Sequence, residues 1–81
     1  MRIPRDLSGR EFLKKLSVLG YEFRYQTGSH LICETLQNGK HRVSIPNHNP
    51  VKVGTLSWIL GDIADHHGKS QKELMLLLFG K

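Results

Sequence analysis

Apolar residues recur at helical spacing in three stretches of the chain, and at closer, strand-like spacing in the stretch between the first two. Phe12, Leu13, Leu16 and Leu19 follow a 3.6-residue period, with Arg10, Lys14 and Lys15 on other faces. Ser8 with Glu11 has the form of a capping box, Leu7 and Phe12 have the spacing of a hydrophobic staple, and Gly20 supplies a stop. An amphipathic helix is therefore predicted over Ser8–Leu19. Leu56, Ile59, Leu60 and Ile63 repeat at i, i+3, i+4 and i+7 and predict a second helix, with Gly68 where a C-terminal cap belongs. Ser70 and Glu73 form another capping box, opening a short last helix that carries Leu74, Leu77 and Leu78.

Between the first two helices, aromatic and β-branched residues separated by turn signals predict strands at Tyr21–Gln26, Ser29–Leu36 and Lys40–Ile45. Asn38-Gly39 suits a type I′ hairpin turn, which needs positive φ at both central residues. A two-residue loop there sets Leu36 opposite His41, Glu34 opposite Val43, Ile32 opposite Ile45 and His30 opposite Asn47. A matching loop at Thr27-Gly28 sets Phe23 beside Ile32 and Tyr25 beside His30. Phe23, Ile32, Val43 and Ile45 then share the apolar face that helices cover, with Tyr25, His30 and Asn47 in a row at its end. Pro46 ends the third strand and residues 47–53 read as a loop. The order α-β-β-β-α-α, one antiparallel meander with helices on one face, defines a two-layer α+β domain. With 81 residues, and no repeat or linker, the chain is expected to be one domain, 1–81.

Composition adds limits. Hydrophobic residues make up 38% of the chain and eight glycines are added to them, which suits a globular domain and not a disordered tail. The longest apolar run, Leu74–Phe79, is far too short for a membrane span, and no signal-peptide pattern opens the chain, so a cytoplasmic protein without membrane contact is expected. The single cysteine, Cys33, rules out an intrachain disulfide. The net charge of +5 is uneven: residues 1–54 carry nine Lys/Arg against four Asp/Glu, and residues 55–81 carry three of each. Such an excess attracts polyanions, nucleic acid foremost, although acidic proteins and membrane surfaces answer the same field.

No phosphate-binding glycine loop, Cys/His zinc pattern or nucleophile elbow occurs, and neither metal nor cofactor is expected. What stands out is Gly28-Ser29-His30 at a strand start and Ile45-Pro46-Asn47-His48 at a strand end, which the hairpin register brings together. These segments, with Leu7-Ser8-Gly9-Arg10-Glu11, Leu19-Gly20-Tyr21, Gly54-Thr55-Leu56 and Ile59-Leu60, resemble the HicA toxins, the mRNA-cleaving halves of HicA/HicB toxin–antitoxin pairs. The resemblance runs through almost the whole chain. It implies a fold like the double-stranded-RNA-binding domain, a HicB-type antitoxin as partner, mRNA as substrate, and a catalytic histidine in the Gly-Ser-His motif, which falls on His30.

An imidazole with an ordinary pKa of about 6.5 suits proton transfer near neutral pH. As a base toward a 2′-hydroxyl of RNA it needs neither metal nor covalent intermediate. The bland alternative for His30 is a histidine filling a polar strand end. His48 is a candidate general acid or phosphate contact, or a solvated loop residue. Ser29 is a candidate phosphate ligand, and Gly28 a turn residue beside RNA. Among the basic residues Arg2, Arg5, Arg10, Lys14, Lys15, Arg24, Arg42 and Lys52, the RNA contacts expected are Lys14, Arg24, Arg42 and Lys52, the last because it precedes a helix N-terminus. Tyr25 is either a base-stacking residue or core, with core expected. His66-His67 read as cationic groups at a helix C-terminus and not as metal ligands. Trp58 reads as a partly buried flank, with a partner surface as the alternative. The last helix is apolar almost all round and so is expected to touch the antitoxin or a second copy of the chain. A non-catalytic RNA-binding module and a protein-interaction domain are the rival readings.

Overall fold

A computed structural model describes residues 3–80. Helix α1 spans Gly9–Leu16 and runs into a 3-10 turn at Ser17–Leu19 that stops at left-handed Gly20. Strands β1 (Glu22–Thr27), β2 (His30–Thr35) and β3 (His41–Pro46) follow, then helices α2 (Val53–His66) and α3 (Gln71–Phe79). The protein is α+β in the predicted order, with strand order β1-β2-β3, all antiparallel. Both capping boxes form: the Ser8 and Ser70 hydroxyls accept from the Glu11 and Glu73 amides, and each glutamate reaches back to its cap.

Phe12, Leu16, Leu31, Cys33, Val43, Ile45, Leu56, Leu60, Ile63 and Leu74 form the centre of one core between sheet and helices. Burial there pushes the Cys33 thiol up to about 12, so it is an inert apolar filler.

The sheet register differs from the predicted one by a residue. Thr35 pairs with His41, Cys33 with Val43, Leu31 with Ile45 and His30 with Pro46. Asn38 and Gly39 do adopt positive φ, but they lie inside a wider loop, Leu36–Lys40. The predicted pairing set Glu34 against Val43 on the helix-covered face. The observed one sends Leu31, Cys33, Val43 and Ile45 inward together and turns Glu34 to the opposite, uncovered face. The wide loop is held by α2: His66 Nε2 lies 3.0 Å from the carbonyls of both Gln37 and Gly39, and Asn38 Nδ2 lies 3.0 Å from His67 Nδ1.

The first hairpin also differs. Its two-residue loop is Gly28-Ser29, with positive φ at Gly28 as a type II′ turn requires, and Thr27 pairs with His30. A β-bulge at Arg24 then puts Phe23 opposite Cys33 but Tyr25 opposite Ile32. The extra residue reverses the alternation, so Phe23 points to the helix side and Tyr25 to the uncovered side. Neither is core, with Phe23 48% and Tyr25 47% exposed; Ile32, expected with the helix-covered set, lies instead on the uncovered face.

At the sheet end where β3 begins, Tyr21 is the buried aromatic. Its hydroxyl lies 2.6 Å from His41 Nδ1 and 3.2 Å from His67 Nε2, and His41 Nε2 lies 3.3 Å from Asp62. His41 stacks on His66 at 4.3 Å. One proton arrangement satisfies the row: Asn38 donates to His67, His67 to Tyr21, Tyr21 to His41 and His41 to Asp62. The two helix-end histidines thus tie α2 to the sheet, and burial, with His66, His41 and Lys69 nearby, holds His67 below the usual histidine range. This replaces the expectation of a charged pair favoured by the helix dipole.

Of the last helix, Leu74, Met75 and Leu78 are buried, while Leu76 and Leu77 are half exposed. Trp58, expected to be a partly buried flank, is 75% exposed, because it projects from α2 away from the sheet. Among the described residues no helix is long and apolar enough to cross a membrane.

Candidate active site

His30 opens β2 directly after the Gly28-Ser29 turn, flanked by Thr27 on one strand and Pro46 on the other. It is exposed. The backbone around it is closed by hydrogen bonds between segments remote in sequence: Asn47 N–H donates to the Ser29 carbonyl at 2.7 Å, Gly9 N–H to the His48 carbonyl at 3.0 Å, and Val51 N–H to the Leu7 carbonyl at 2.8 Å. The start of α1, the first hairpin turn and the exit of β3 thus form one rim.

Gly9 explains how the segments fit. A Cβ there would run into the Pro46 carbonyl and lie 3.2 Å from Asn47 Cα, both backbone atoms with no freedom to move aside. The turn at Gly28 has open space around it, so its glycine is needed for positive φ alone.

The predicted neighbours gather unevenly. Ser29 and His48 lie on this rim, with the His48 side chain exposed two residues beyond Pro46; among the described residues no hydrogen bond joins the two imidazoles. The predicted partner of His30, Asn47, is displaced by one position but stays adjacent through Ser29. Lys52 is exposed at the N-cap of α2, next to the Val51–Leu7 bond and therefore near the same rim.

Arg24 and Arg42 lie on the uncovered face, on the same side as His30 but toward the other end of the strands. Both reach Glu34, Arg42 Nη2 at 3.2 Å and Arg24 Nε at 3.6 Å, and Lys40 approaches it at 3.8 Å. Lys14 is elsewhere: with Arg10, Leu13 and Phe23 it lines a cleft of about 230 Å³ between α1 and the β1 edge. Arg2 lies outside the described residues.

Sequence reasoning missed Glu34 as an organiser of the basic face. Its signal was present, since a lone carboxylate in a basic hairpin belongs beside cations and not opposite valine. Among the described residues, no group of three or more His, Cys, Asp or Glu side chains is placed to hold a metal ion.

A family model described as the HicA toxin of bacterial toxin–antitoxin systems matches residues 9–64. The chain belongs to the HicA toxin family. It is therefore the toxin component of a toxin–antitoxin system, and the matched span of this HicA toxin runs from Gly9 through His30, Pro46–His48 and Lys52 to Ala64. Helix α3 and the His66-His67 pair lie beyond it. No curated relative and no solved structure matches the chain.

Proposed function

We propose that this HicA toxin is an endoribonuclease that cleaves mRNA in the cytoplasm without a metal ion, with His30 as its catalytic residue and a HicB-type antitoxin as the partner that holds it inactive. The observation that carries the reading is the position of His30: exposed, on a rim closed by three backbone hydrogen bonds, on the basic side of the sheet.

His30 removes the proton from a ribose 2′-hydroxyl. The resulting oxygen attacks the adjacent phosphorus, the bond to the 5′-oxygen breaks, and that oxygen takes a proton from an acid on the opposite side. His48 fills the acid's role, since it is the second imidazole on the rim. Ser29 and Lys52 hold the phosphate, Ser29 through its hydroxyl and Lys52 through its charge, and Gly28 lets the backbone of the turn approach the strand.

The test is purified wild type against His30→Ala on RNA in EDTA. Cleavage by the wild type to a 2′,3′-cyclic phosphate and a 5′-hydroxyl, abolished in a folded His30→Ala variant, is expected. Cleavage of DNA, or loss of activity in EDTA, would require a metal-bound water and overturn the mechanism.

A further inference from the structure

The face of the sheet turned away from the helices carries more than His30. Along β2 it presents His30, Ile32 and Glu34, and beside them Ser44 and Arg42 from β3 and Tyr25 from β1. Tyr25 reaches this face by regular alternation from the turn, where Thr27 pairs with His30, whereas the bulge at Arg24 turns the preceding Phe23 to the other side. Tyr25 is half exposed on this face, with no helix above it. The Arg42 guanidinium lies 6.0 Å from the centre of the Tyr25 ring and 3.5 Å from its hydroxyl, and Glu34 fixes the guanidinium from the other side through Nε and Nη2.

An exposed aromatic ring backed by a pinned arginine is what an unpaired base stacks on, and every base has a π-face to offer. The charge agrees. Arg24, Lys40 and Arg42 surround Glu34, with Glu22 at the edge, so the face keeps a cationic excess for a phosphate backbone. Position agrees as well. Tyr25 sits opposite Ile32, two residues from His30 on the same face, which makes it a diagonal neighbour at roughly 7–8 Å. A single strand lying across the sheet would reach both at adjacent nucleotides. A duplex would not, because its bases are stacked on each other and its grooves are read by shape.

We propose that Tyr25 and Arg42 form a base-stacking platform that holds an unpaired nucleotide beside the phosphate presented to His30, so that the toxin selects single-stranded RNA. This rests on RNA being the substrate, but not on His30 being the base. Tyr25 is here a positioning and specificity residue.

The experiment uses the wild-type protein, Tyr25→Leu and Tyr25→Phe. Each is titrated with short fluorescein-labelled 2′-O-methyl strands of mixed sequence, which cannot be cut by their own 2′-oxygen, either single-stranded or annealed to a complement. Cleavage kinetics on ordinary RNA are measured in parallel, with thermal unfolding to show that the variants fold. Tyr25→Leu should bind the single strand roughly 5- to 100-fold more weakly, the equivalent of one lost stacked base. Its duplex affinity should be unchanged, and its KM should rise with kcat nearly kept, because the stack is present in ground and transition states alike. Tyr25→Phe should restore all three.

Equal losses toward single strand and duplex would mean that the face reads charge or shape, and unchanged affinity in a folded Tyr25→Leu would remove the platform; either overturns the proposal. So would loss of antitoxin binding with RNA affinity intact, which would make the face a protein interface. If the wild type cleaves RNA and Tyr25→Leu is indifferent, the platform fails and the nuclease stands. If binding depends on Tyr25 and nothing is cleaved, the nuclease reading fails and the platform stands.

Discussion

Replacing Tyr21 by phenylalanine removes one oxygen from the row that ties α2 to the sheet. Among the described residues that oxygen is the hydrogen-bonding bridge between His41 Nδ1 at 2.6 Å and His67 Nε2 at 3.2 Å, in a place where Tyr21 is 2% exposed. Two hydrogen bonds are lost, each worth about 0.5–1.5 kcal/mol net, and the buried His67 N–H is left without an acceptor, which adds about 1–3 kcal/mol. With partial relaxation the expected loss is about 2–4 kcal/mol, a fall in Tm on the order of 10–25 °C for a domain of this size. Urea unfolding at neutral pH is the assay, read as a lower midpoint at unchanged slope. Activity measured well below the transition should be close to wild type, because the row sits at the β3 start, about 17 Å of strand from the end that carries His30. A loss under about 0.5 kcal/mol, the range of ordinary surface substitutions, would refute the hydrogen-bonded row.

The same cluster sets an acid limit. His67 is held below its ordinary value, so as pH falls through about 6.5 the unfolded chain takes up the proton first; stability is full above that pH and is lost below it at up to about 1.4 kcal/mol per unit, a slope that His67→Gln should flatten in pH-dependent unfolding. His48→Ala should slow RNA cleavage about 10²–10⁴-fold in single-turnover assays, and a wild-type rate would remove it as the general acid. Gly9→Ala should lower Tm and cleavage together, since a methyl group forces α1 away from Pro46; a stable, fully active variant would show that the rim is not tight. Lys52→Gln should reduce the salt dependence of single-stranded RNA affinity by about 0.7 in log–log slope, whereas Lys69→Gln, in the electrically balanced third of the chain, should not.

Helix starts and stops were legible because their signals are local: Ser8 with Glu11, Ser70 with Glu73 and the left-handed Gly20 each act within a turn. Sheet register was not, because Asn38-Gly39 is a good two-residue turn that tertiary contacts from His66 and His67 hold open as a longer loop. Those contacts come from residues nearly thirty positions away, which no window on the hairpin contains. The bulge at Arg24 is hidden for a related reason, since period-two reading assumes unbroken alternation and one added residue exchanges the faces of all that precedes it. The closeness of Gly28–His30 to Pro46–His48 survived the one-residue error, as adjacency in a hairpin is less sensitive to register than facing is. Which side of the sheet His30 occupies was the part that depended on it.

The bonds from Gly9 to His48 and from Leu7 to Val51 join residues about forty positions apart, and this has a meaning in time. A ribosome adding roughly 5–20 residues per second delivers the α1 side of the rim some 2–8 s before its partner on the far side of β3. In the second half of that interval the Gly28-Ser29 turn and His30 have been made, but nothing yet fixes them against Pro46–His48. The rim therefore cannot be completed before residue 51 has been added, and a chain interrupted before residue 48 carries His30 without its setting. On the catalytic role proposed for His30, the fold itself then delays arming until synthesis has passed the midpoint.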